Sequence, residues 1–310
     1  MLRALIIGAI NWDINLFVKR FPKKGEEILV DGLTRVPGGK GANVAVAAAR
    51  LLGPDRTAIL GGLGKDHIAD EQVRIFQEEG VVVSGLKFCN EAESGQAYIL
   101  IDKQGENTIH SYRGANSLIL PGDLDDPARR QLISDASIVT IMDPPLETSL
   151  KLAKEAKRLA KTVAWDPGVK AELGIAKVAG LLQNIDYITA NESETGNLTG
   201  TKSPREAAQM LIKTNPKLKV ITKLGAKGSI FHYGTKRVVC PAFDLASHKL
   251  NVVSTVGCGD AFLGAFVAAL SEGRSDEEAQ RWGNCAAGLK ATRSETRGSP
   301  DRETLLKYLW

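Results

Sequence analysis

The chain has 310 residues, of which 43% are hydrophobic and 25% are charged, the composition of an ordinary globular protein. This length allows one large α/β domain or two small ones, and either can bury a core. The formal net charge of +4 is spread along the chain without a run of five like charges, so nucleic acid is not indicated as a partner.

The cysteine content and the hydropathy of the sequence limit the cellular compartments in which the protein is expected. The four cysteines are widely spaced without a C-x-x-C pair, which argues against a zinc site and favours a reducing, cytoplasmic location. The N-terminal run M-L-R-A-L-I-I-G is too short for a signal sequence and lacks a following A-x-A. No stretch of 18 apolar residues occurs, so neither a membrane-spanning helix nor a membrane partner is expected.

The first third of the chain combines a buried strand, a helix and two hairpins. The apolar run Leu2 to Gly8 predicts the strand, and 38–52, with helical spacing before Gly53-Pro54, predicts the helix. Half-polar hairpin strands are predicted at 14–19, 27–34, 96–102 and 107–112. We expect these hairpins to form one small projecting β-sheet from insertions at about 14–36 and 95–114.

From about Pro121 onward, predicted strands and helices alternate. The predicted strands are 136–141, 162–165, 187–189 and 218–222, and the predicted helices are 146–161, 204–213, 257–271, 276–293 and 301–308. Such alternation favours a mostly parallel central sheet with helices on both faces. The sequence therefore predicts a single α/β domain over residues 1–310, from which the small β-sheet projects.

The glycine-rich segments do not fit the two common nucleotide-binding patterns. Asp66 follows Gly64-Lys65, so the pattern G-x-x-x-x-G-K-[ST] is absent and a P-loop enzyme is excluded. The first strand is followed by I-G-A-I-N-W-D rather than G-x-G-x-x-G, which disfavours a dinucleotide-binding domain of the common kind.

The segment S-T-V-G-C-G-D-A-F, residues 254–262, leads from a strand into an apolar helix. The N–H groups of Gly257, Cys258 and Gly259 would lie at the positive end of that helix, where an anion can approach them closely. Asp260 would stand in the first turn, where a carboxylate can accept a proton from an attacking hydroxyl. Alternatively, Asp260 only complements the helix dipole, which is worth about 0.3–1 kcal/mol.

Three further groups of polar residues are candidates for binding. Asn11 and Asp13 would share one face of an extended chain and suit adjacent hydroxyls of a polyol, although both residues are also common in turns. Lys40 and Asn43 lie where P-G-G-K-G-A-N turns into a helix, which Asn43 could simply cap. In N-E-S-E, residues 191–194, the first and last residues share a helix face, and a capping box explains that spacing well.

In this order, the segments resemble the ribokinase family of carbohydrate kinases, which includes the bacterial minor phosphofructokinase. G-G-K-G-A-N-V-A is similar to the first signature of the family, and S-T-V-G-C-G-D-A-F to the second, D-T-x-G-A-G-D-x-F. N-E-S-E resembles the N-x-x-E element, while N-W-D and G-E-N-T-I followed by G-A-N resemble ribokinase motifs. The resemblance covers essentially the whole chain and implies that the small sheet is a lid, which closes on the sugar and excludes water.

The resemblance also implies a role for each matching position. Asp260 would deprotonate the primary hydroxyl of the sugar, and Gly257, Cys258 and Gly259 would form the anion hole for the γ-phosphoryl group. The sugar would be held by Asn11, Asp13, Gly39, Lys40, Asn43 and Asp143, the last standing where ribokinases carry Glu. The nucleotide would contact Asn191, Lys223, Gly225, Gly228 and Asn284, and Glu194 would bind Mg²⁺ through water.

Three departures from the family pattern bear on function. Ser254 replaces the first Asp of the second signature, and Glu295 stands where ribokinases usually have Gly. Because both positions belong to the loop that binds an activating K⁺ in ribokinases, potassium activation is in doubt. Lys223 replaces a usual Thr, and its ammonium either reaches a nucleotide phosphate or is simply exposed.

The implied activity is an ATP- and Mg²⁺-dependent kinase for the primary hydroxyl of a pentose, with D-ribose and ribose 5-phosphate as the first expectation. The alternative acceptor is a nucleoside or a sugar phosphate. A nucleoside would require room for its base beside apolar residues such as Trp12, and a sugar phosphate would require basic residues beyond Lys40 in the sugar pocket. S-T-V-G is similar to the phosphofructokinase branch, and the sequence leaves ADP open as a donor. Asp260 argues against a non-catalytic sugar sensor. We also expect a homodimer formed through the lid.

Overall fold

The computed structural model describes residues 1–309, which form 15 β-strands, ten α-helices and four short 3-10 helices. The strands are β1 (Ala4–Ile7), β2 (Asn11–Val18), β3 (Val30–Gly38), β4 (Thr57–Leu60), β5 (Gly62–Gly64), β6 (Val81–Val82), β7 (Lys87–Cys89), β8 (Gly95–Ile101), β9 (Asn107–Tyr112), β10 (Ile138–Ile141), β11 (Thr162–Trp165), β12 (Tyr187–Asn191), β13 (Lys219–Lys223), β14 (Ser229–Tyr233) and β15 (Lys236–Cys240). The α-helices are α1 (Lys40–Leu52), α2 (His67–Glu78), α3 (Pro127–Asp135), α4 (Leu146–Arg158), α5 (Gly174–Leu182), α6 (Glu192–Thr199), α7 (Pro204–Thr214), α8 (Cys258–Ser271), α9 (Asp276–Ala291) and α10 (Arg302–Tyr308). The 3-10 helices are Gly114–Leu118, Pro121–Asp125, Gly168–Leu173 and Gly225–Lys227.

Nine strands form a large sheet in the order β15-β14-β13-β12-β11-β10-β1-β4-β6. All neighbours pair in parallel except β14 with its two neighbours. β1 and β10 are buried along their whole length and are apolar except for Thr140, as expected for parallel strands that are covered on both faces. The predicted mostly parallel α/β fold is thus confirmed.

Two hydrophobic layers cover the faces of this sheet. Alternate residues of β1 divide between them: Ile6 packs in a layer with α1, α8 and α9, whereas Leu5 packs in a layer with α4 and α5. This packing places α8 against one face of the sheet, and the strand-to-helix loops at the carboxyl end of the sheet carry polar residues. Within residues 1–309, no helix is long and apolar enough to cross a membrane.

The two predicted hairpins form a separate four-stranded sheet in the order β3-β2-β8-β9. Each hairpin is antiparallel, and β2 joins β8 in parallel with Asn11 opposite Gly95. The sheet extends beyond the predicted 14–36, because β2 begins at Asn11 and β3 continues to Gly38. There the backbone of Gly38 lies so close to the Asp13 carboxylate that an added Cβ would be 2.2 Å from it.

Candidate active site

The loop before α8 depends on a glycine in the left-handed region. Gly257 is the N-cap of α8 with φ +84°, and an added Cβ would lie 2.3 Å from the carbonyl oxygen of Thr296. No side chain caps this helix end. Of the three N–H groups assigned to the anion hole, that of Cys258 donates to the Thr255 carbonyl at 3.2 Å. That N–H group is thus already bonded within the loop. Because no side chain among residues 1–309 caps the N-terminus of α8, this end of the helix remains a positively polarised surface that an anion can approach.

Asp260 stands in the first turn of α8 as a half-buried carboxylate. Its Oδ2 accepts a hydrogen bond from Asn43 Nδ2 at 2.8 Å. Burial raises the pKa of Asp260 to about 6, although Lys40 and the Asn43 hydrogen bond favour the ionised form. Above that pH the group is mainly a carboxylate, and its raised basicity suits proton abstraction near neutral pH.

The buried guanidinium of Arg297 fixes the orientation of Asn43. Arg297 is 8% exposed, and its Nε donates to Asn43 Oδ1 at 3.1 Å. It also donates to the carbonyl of Gly38 at 2.8 Å and to Gln72 Oε1 at 2.9 Å. Because an arginine only donates, the Asn43 oxygen must face Arg297 and its NH₂ group must face Asp260. No motif in the sequence singled out Arg297.

The side chains of Asn11 and Asp13 share one face of β2, as the sequence predicts. Burial raises the pKa of Asp13 to about 6, while Arg297 lowers it and Asp260 raises it further. Asn11 Oδ1 accepts a hydrogen bond from Nδ2 of the buried Asn116 at 2.9 Å. Asn116, the last residue of G-A-N, thereby orients Asn11, a role that the motif alone did not reveal.

Gly39 and Asp143 hold the turn between β1 and β2. Gly39 has φ +93°, and an added Cβ would lie 2.5 Å from the carbonyl oxygen of Ala9, so only glycine fits. The Asp143 carboxylate accepts a hydrogen bond from the Ala9 N–H at 2.7 Å through Oδ1. One oxygen of Asp143 therefore supports the turn that leads to Asn11.

Two lysines from distant parts of the chain meet at the buried carboxylate of Asp166. Lys223 Nζ lies 2.8 Å from Asp166 Oδ2, and Lys40 Nζ lies 3.8 Å from Oδ1. Burial opposes ionisation of Asp166, but Lys223 and Lys40 hold its pKa below the usual range. The Lys223 side chain is only 15% exposed, and its ammonium would lie 3.6 Å from a Cβ added to Gly259. Asp166 was not predicted, although it follows β11 directly.

Asn191 and Glu194 form the capping box that their spacing indicated. Asn191 Oδ1 accepts from the Glu194 N–H at 2.8 Å, and Glu194 Oε2 accepts from the Asn191 N–H at 2.9 Å. The other carboxylate oxygen of Glu194, Oε1, lies 3.4 Å from Lys40 Nζ. Capping and a position at the site are therefore compatible in one geometry.

A cavity of about 330 Å³ opens beside the N-terminus of α8. Its walls are mainly apolar, with contributions from Phe243, Val252 and Phe262, and its lining includes Lys223, Gly225, Gly228, Cys258, Gly259 and Asn284. Asn284 donates through Nδ2 to the carbonyls of Cys240 and Pro241, both at 3.0 Å, and so holds one wall in place. An apolar cavity that ends at a cationic rim suits a planar base with attached phosphates.

Known proteins share this sequence and fold. The chain is 31% identical over 299 residues to the ribokinase of Lactococcus lactis, covering 96% of this chain and 93% of that protein. It is 28% identical over 309 residues to the ATP-dependent ribose-1-phosphate kinase of Halopiger xanaduensis, covering 100% and 98%. The structure of Arabidopsis thaliana ribokinase complexed with ribose and ATP matches with a TM-score of 0.87 at 30% identity, covering 100% and 99%. A family model described as pfkB family carbohydrate kinase matches residues 1–303. The chain therefore belongs to the pfkB family and is an ATP-dependent carbohydrate kinase that phosphorylates a hydroxyl group.

Proposed function

We propose that this protein transfers the γ-phosphoryl group of ATP to the primary hydroxyl of D-ribose and produces ribose 5-phosphate. The observation that carries the proposal is the hydrogen bond between Asn43 and Asp260. It joins the start of α1, near the proposed sugar ligands, to the start of α8, which borders the cavity of about 330 Å³ proposed for the nucleotide. The relatives and the solved structure named above as ribokinases support a pentose as the acceptor.

The acceptor side supplies orientation and a base. Asn11 and Asp13 hold adjacent hydroxyls of the sugar from one strand face, and Lys40 and Asn43 contact it from the start of α1. Asp260 accepts the proton of the primary hydroxyl as that oxygen bonds to the γ-phosphorus. The bond between the γ-phosphorus and the β,γ-bridging oxygen breaks, and ADP leaves.

The nucleotide side stabilises the negative charge of the transferring group. The N-terminus of α8 at Gly257 and Gly259 faces this charge with backbone dipoles, which need no reorganisation during the reaction. The ammonium groups of Lys40 and Lys223 add two positive charges, and Asp166 holds both in position before the nucleotide arrives. The apolar cavity wall takes the base.

The residues present fit a magnesium ion that arrives with the nucleotide. Residues 1–309 contain no group of three or more His, Cys, Asp or Glu side chains that could hold a metal by themselves. Mg²⁺ is usually bound by one or two carboxylates together with phosphates and water. Glu194, beside Asn191, would hold it through water, and the bound ion neutralises charge on the phosphates.

The small sheet is proposed as a lid and as a dimer contact. Its strands expose large apolar side chains, with Leu33 45%, Tyr98 40% and Ile109 58% accessible, and such patches favour association. A homodimer through this sheet buries them. Light scattering of the wild type and of Ile109→Glu tests the assembly, and a monomeric wild type at assay concentration contradicts it.

A coupled assay of ADP release tests the acceptor. With ATP and Mg²⁺, turnover is expected on D-ribose, and ³¹P NMR should identify ribose 5-phosphate as the product. Turnover on a nucleoside or a sugar phosphate without turnover on ribose would overturn the acceptor and retain the kinase. Thermal shifts with a non-hydrolysable nucleotide add a binding readout, because ligands of the native state raise its apparent stability.

A sugar phosphate is the second candidate acceptor, because basic groups beyond Lys40 surround Asp143. Arg113 Nη2 donates to the Asp143 carbonyl at 2.6 Å. Lys170 is buried, with 9% of its surface exposed, and is close enough to feel the charges of both residues. Burial lowers the pKa of Lys170 to about 8, while Asp143 raises it and Arg113 lowers it further. The Halopiger relative bears the name of a ribose-1-phosphate kinase.

The variant Lys170→Met separates the two acceptors. If a phosphorylated sugar is bound there, KM for ribose 1-phosphate should rise about tenfold or more, as for loss of a charged hydrogen bond, while KM for ribose is unchanged. The exposed Lys177→Met is the matched control on the following helix. An equal effect on both acceptors, or none on either, removes the second candidate.

A further inference from the structure

Lys290, near the end of α9, is a lysine with no exposed surface. Its Nζ donates to the carbonyl of Ser254 at 3.2 Å and to the carbonyl of Arg293 at 3.1 Å. Fully buried lysines are rare, and they require partners for the ammonium group. Here both partners are main-chain carbonyls, which also serve as ligands for monovalent cations.

The carbonyls of Ser254 and Arg293 belong to two segments that lie next to Gly257, one of the glycines of the proposed anion site. One segment, Val253 and Ser254, runs into α8 and donates both of its N–H groups to the carbonyl of Ala291, at 2.7 and 3.1 Å. The other follows α9 and brings the Thr296 carbonyl against Gly257. The Lys290 ammonium therefore ties together the segments whose relative position sets the N-terminus of α8.

The residues at this point do not fit a potassium ion. In the family that this chain resembles, the cation lies between the position of Ser254 and the loop that contains Glu295. Here Ser254 supplies no carboxylate, the Glu295 residue is exposed, and the Ser254 carbonyl is already bonded to an ammonium. A second positive charge beside Lys290 would be repelled.

We propose that Lys290 Nζ takes the place of the activating monovalent cation, so that phosphoryl transfer needs no K⁺. Lys290 is a positioning residue: it acts through the carbonyls of Ser254 and Arg293 and keeps the first turn of α8 in place. Burial lowers the pKa of Lys290, and the charges of Glu295 and Asp260 oppose that change. The inference rests on the proposed anion site at Gly257 and Gly259, and it is independent of which sugar is the acceptor.

The wild-type protein tests the proposal without any substitution. Turnover, the affinity for ADP and Tm are compared in potassium, sodium and tetramethylammonium chloride at one ionic strength. All three quantities should be the same in each salt. Severalfold activation by potassium, or a potassium-specific rise in Tm or in ADP affinity, would overturn the proposal. The two binding readouts need no acceptor, so failure of the ribose proposal is distinguished from failure of this one.

Two substitutions of Lys290 add a rescue test. Lys290→Ala opens a space lined by the Ser254 and Arg293 carbonyls. In tetramethylammonium its kcat should fall, by at most the roughly 10²–10³-fold seen when a transition-state donor is lost outright. Potassium or ammonium ions should restore it. Lys290→Met fills the space without charge, so its kcat should fall and not recover.

The exposed Lys154→Ala on α4 is the matched control and should behave as the wild type in every salt. Undiminished kcat of Lys290→Ala in tetramethylammonium would overturn the proposal, as would a loss that no cation restores. If both Lys290 variants fail to fold, the comparison of salts on the wild type decides.

Discussion

The side chain of Asn43 donates a hydrogen bond to Asp260 at 2.8 Å and thereby links the start of α1 to the start of α8. The other end of the same amide accepts from the buried Arg297, which holds it in that orientation. The proposed base is thus positioned by a residue that is also proposed to contact the acceptor, so that the sugar and the base would share one rigid support.

Replacing Asp260 with Asn should lower kcat by about 10²–10⁴ or more, because an amide cannot take the proton of the attacking hydroxyl. Binding of sugar and nucleotide should persist in thermal-shift titrations. Asp70→Asn is the matched control, since Asp70 occupies the first turn of α2 in the same way and is exposed. Unchanged turnover in Asp260→Asn would refute the assignment of the base.

The same substitution should stabilise the fold above pH 6. Burial raises the pKa of Asp260 to about 6 in the folded protein, so the folded state holds this proton more tightly than the unfolded chain. The stability that the group contributes is complete below its ordinary pKa and is lost as pH rises through 6. We expect Asp260→Asn to have a higher Tm than the wild type at pH 8, with the difference shrinking toward pH 4. An equal or larger difference at pH 4 contradicts the assigned pKa.

Removing the Asn43 amide should change the dependence of kcat/KM on pH. The hydrogen bond favours the Asp260 carboxylate, so in Asn43→Ala the acid limb of kcat/KM should shift to higher pH. Stability should fall by about 1–3 kcal/mol, because Arg297 Nε loses its partner in a buried position. Asp13 titrates in the same range, so the direction of the shift is the readout rather than its absolute value.

Asn184→Ala is a control for this prediction, because within residues 1–309 the side chain of the half-buried Asn184 bonds only to the Gly180 carbonyl of its own turn, and its pH profile should match the wild type. A shift of the Asn43→Ala limb to lower pH would contradict the proposed contribution of the hydrogen bond.

Gly257 and Gly273 offer a comparison between two glycines with nearly equal backbone angles. Their φ values are +84° and +80°, but an added Cβ meets the Thr296 carbonyl at 2.3 Å only at Gly257. Gly273→Ala should cost about 1–2 kcal/mol for the left-handed conformation alone. Gly257→Ala should cost more in denaturant unfolding and should also weaken ADP binding. Equal losses in the two variants would show that the approach of Thr296 is unimportant.

Lys223→Met should raise KM for ATP and lower kcat, because it removes an ammonium beside the anion site. It also leaves the buried Asp166 with Lys40 alone, so Tm should fall, and a steeper loss is expected above the pKa of Asp166. The exposed Lys236→Met on β15 is the control. Unchanged ATP kinetics would exclude Lys223 from the nucleotide site.

The sequence predicted many of the elements whose pattern is local, although the fully buried strand β4 and the apolar helix α5 were not among them. Buried apolar strands such as β1, the two hairpins and the apolar helix after Gly257 all carry a short-range signal. Helix α2 carries only a weak signal of this kind, since only three of its residues are buried, and the sequence pattern does not indicate it. Nor does the pattern indicate the hairpin of β14 and β15, because β15 lies at the sheet edge and has no buried residue.

The charged residues of the site divide in the same way. Asp260 and Lys40 stand in glycine-rich motifs and were found, and their catalytic roles stay predictions. Arg297 and Lys290 were missed because a buried charge looks like a surface charge in a sequence. Their burial depends on partners far along the chain, Gly38 for Arg297 and Ser254 for Lys290, which no local pattern contains.

The parallel pairing of β2 with β8 has a consequence for the order of folding. Each hairpin can close by itself over a short turn, whereas the pairing of β2 with β8 places Asn11 opposite Gly95 and closes a much longer loop. We expect this long-range pairing to form after the two local ones. The face that carries Asn11 and Asp13 acquires its final shape only with that pairing. We therefore expect the face proposed to hold the sugar to form late in folding, because it is assembled from segments that are neighbours in space but distant along the chain.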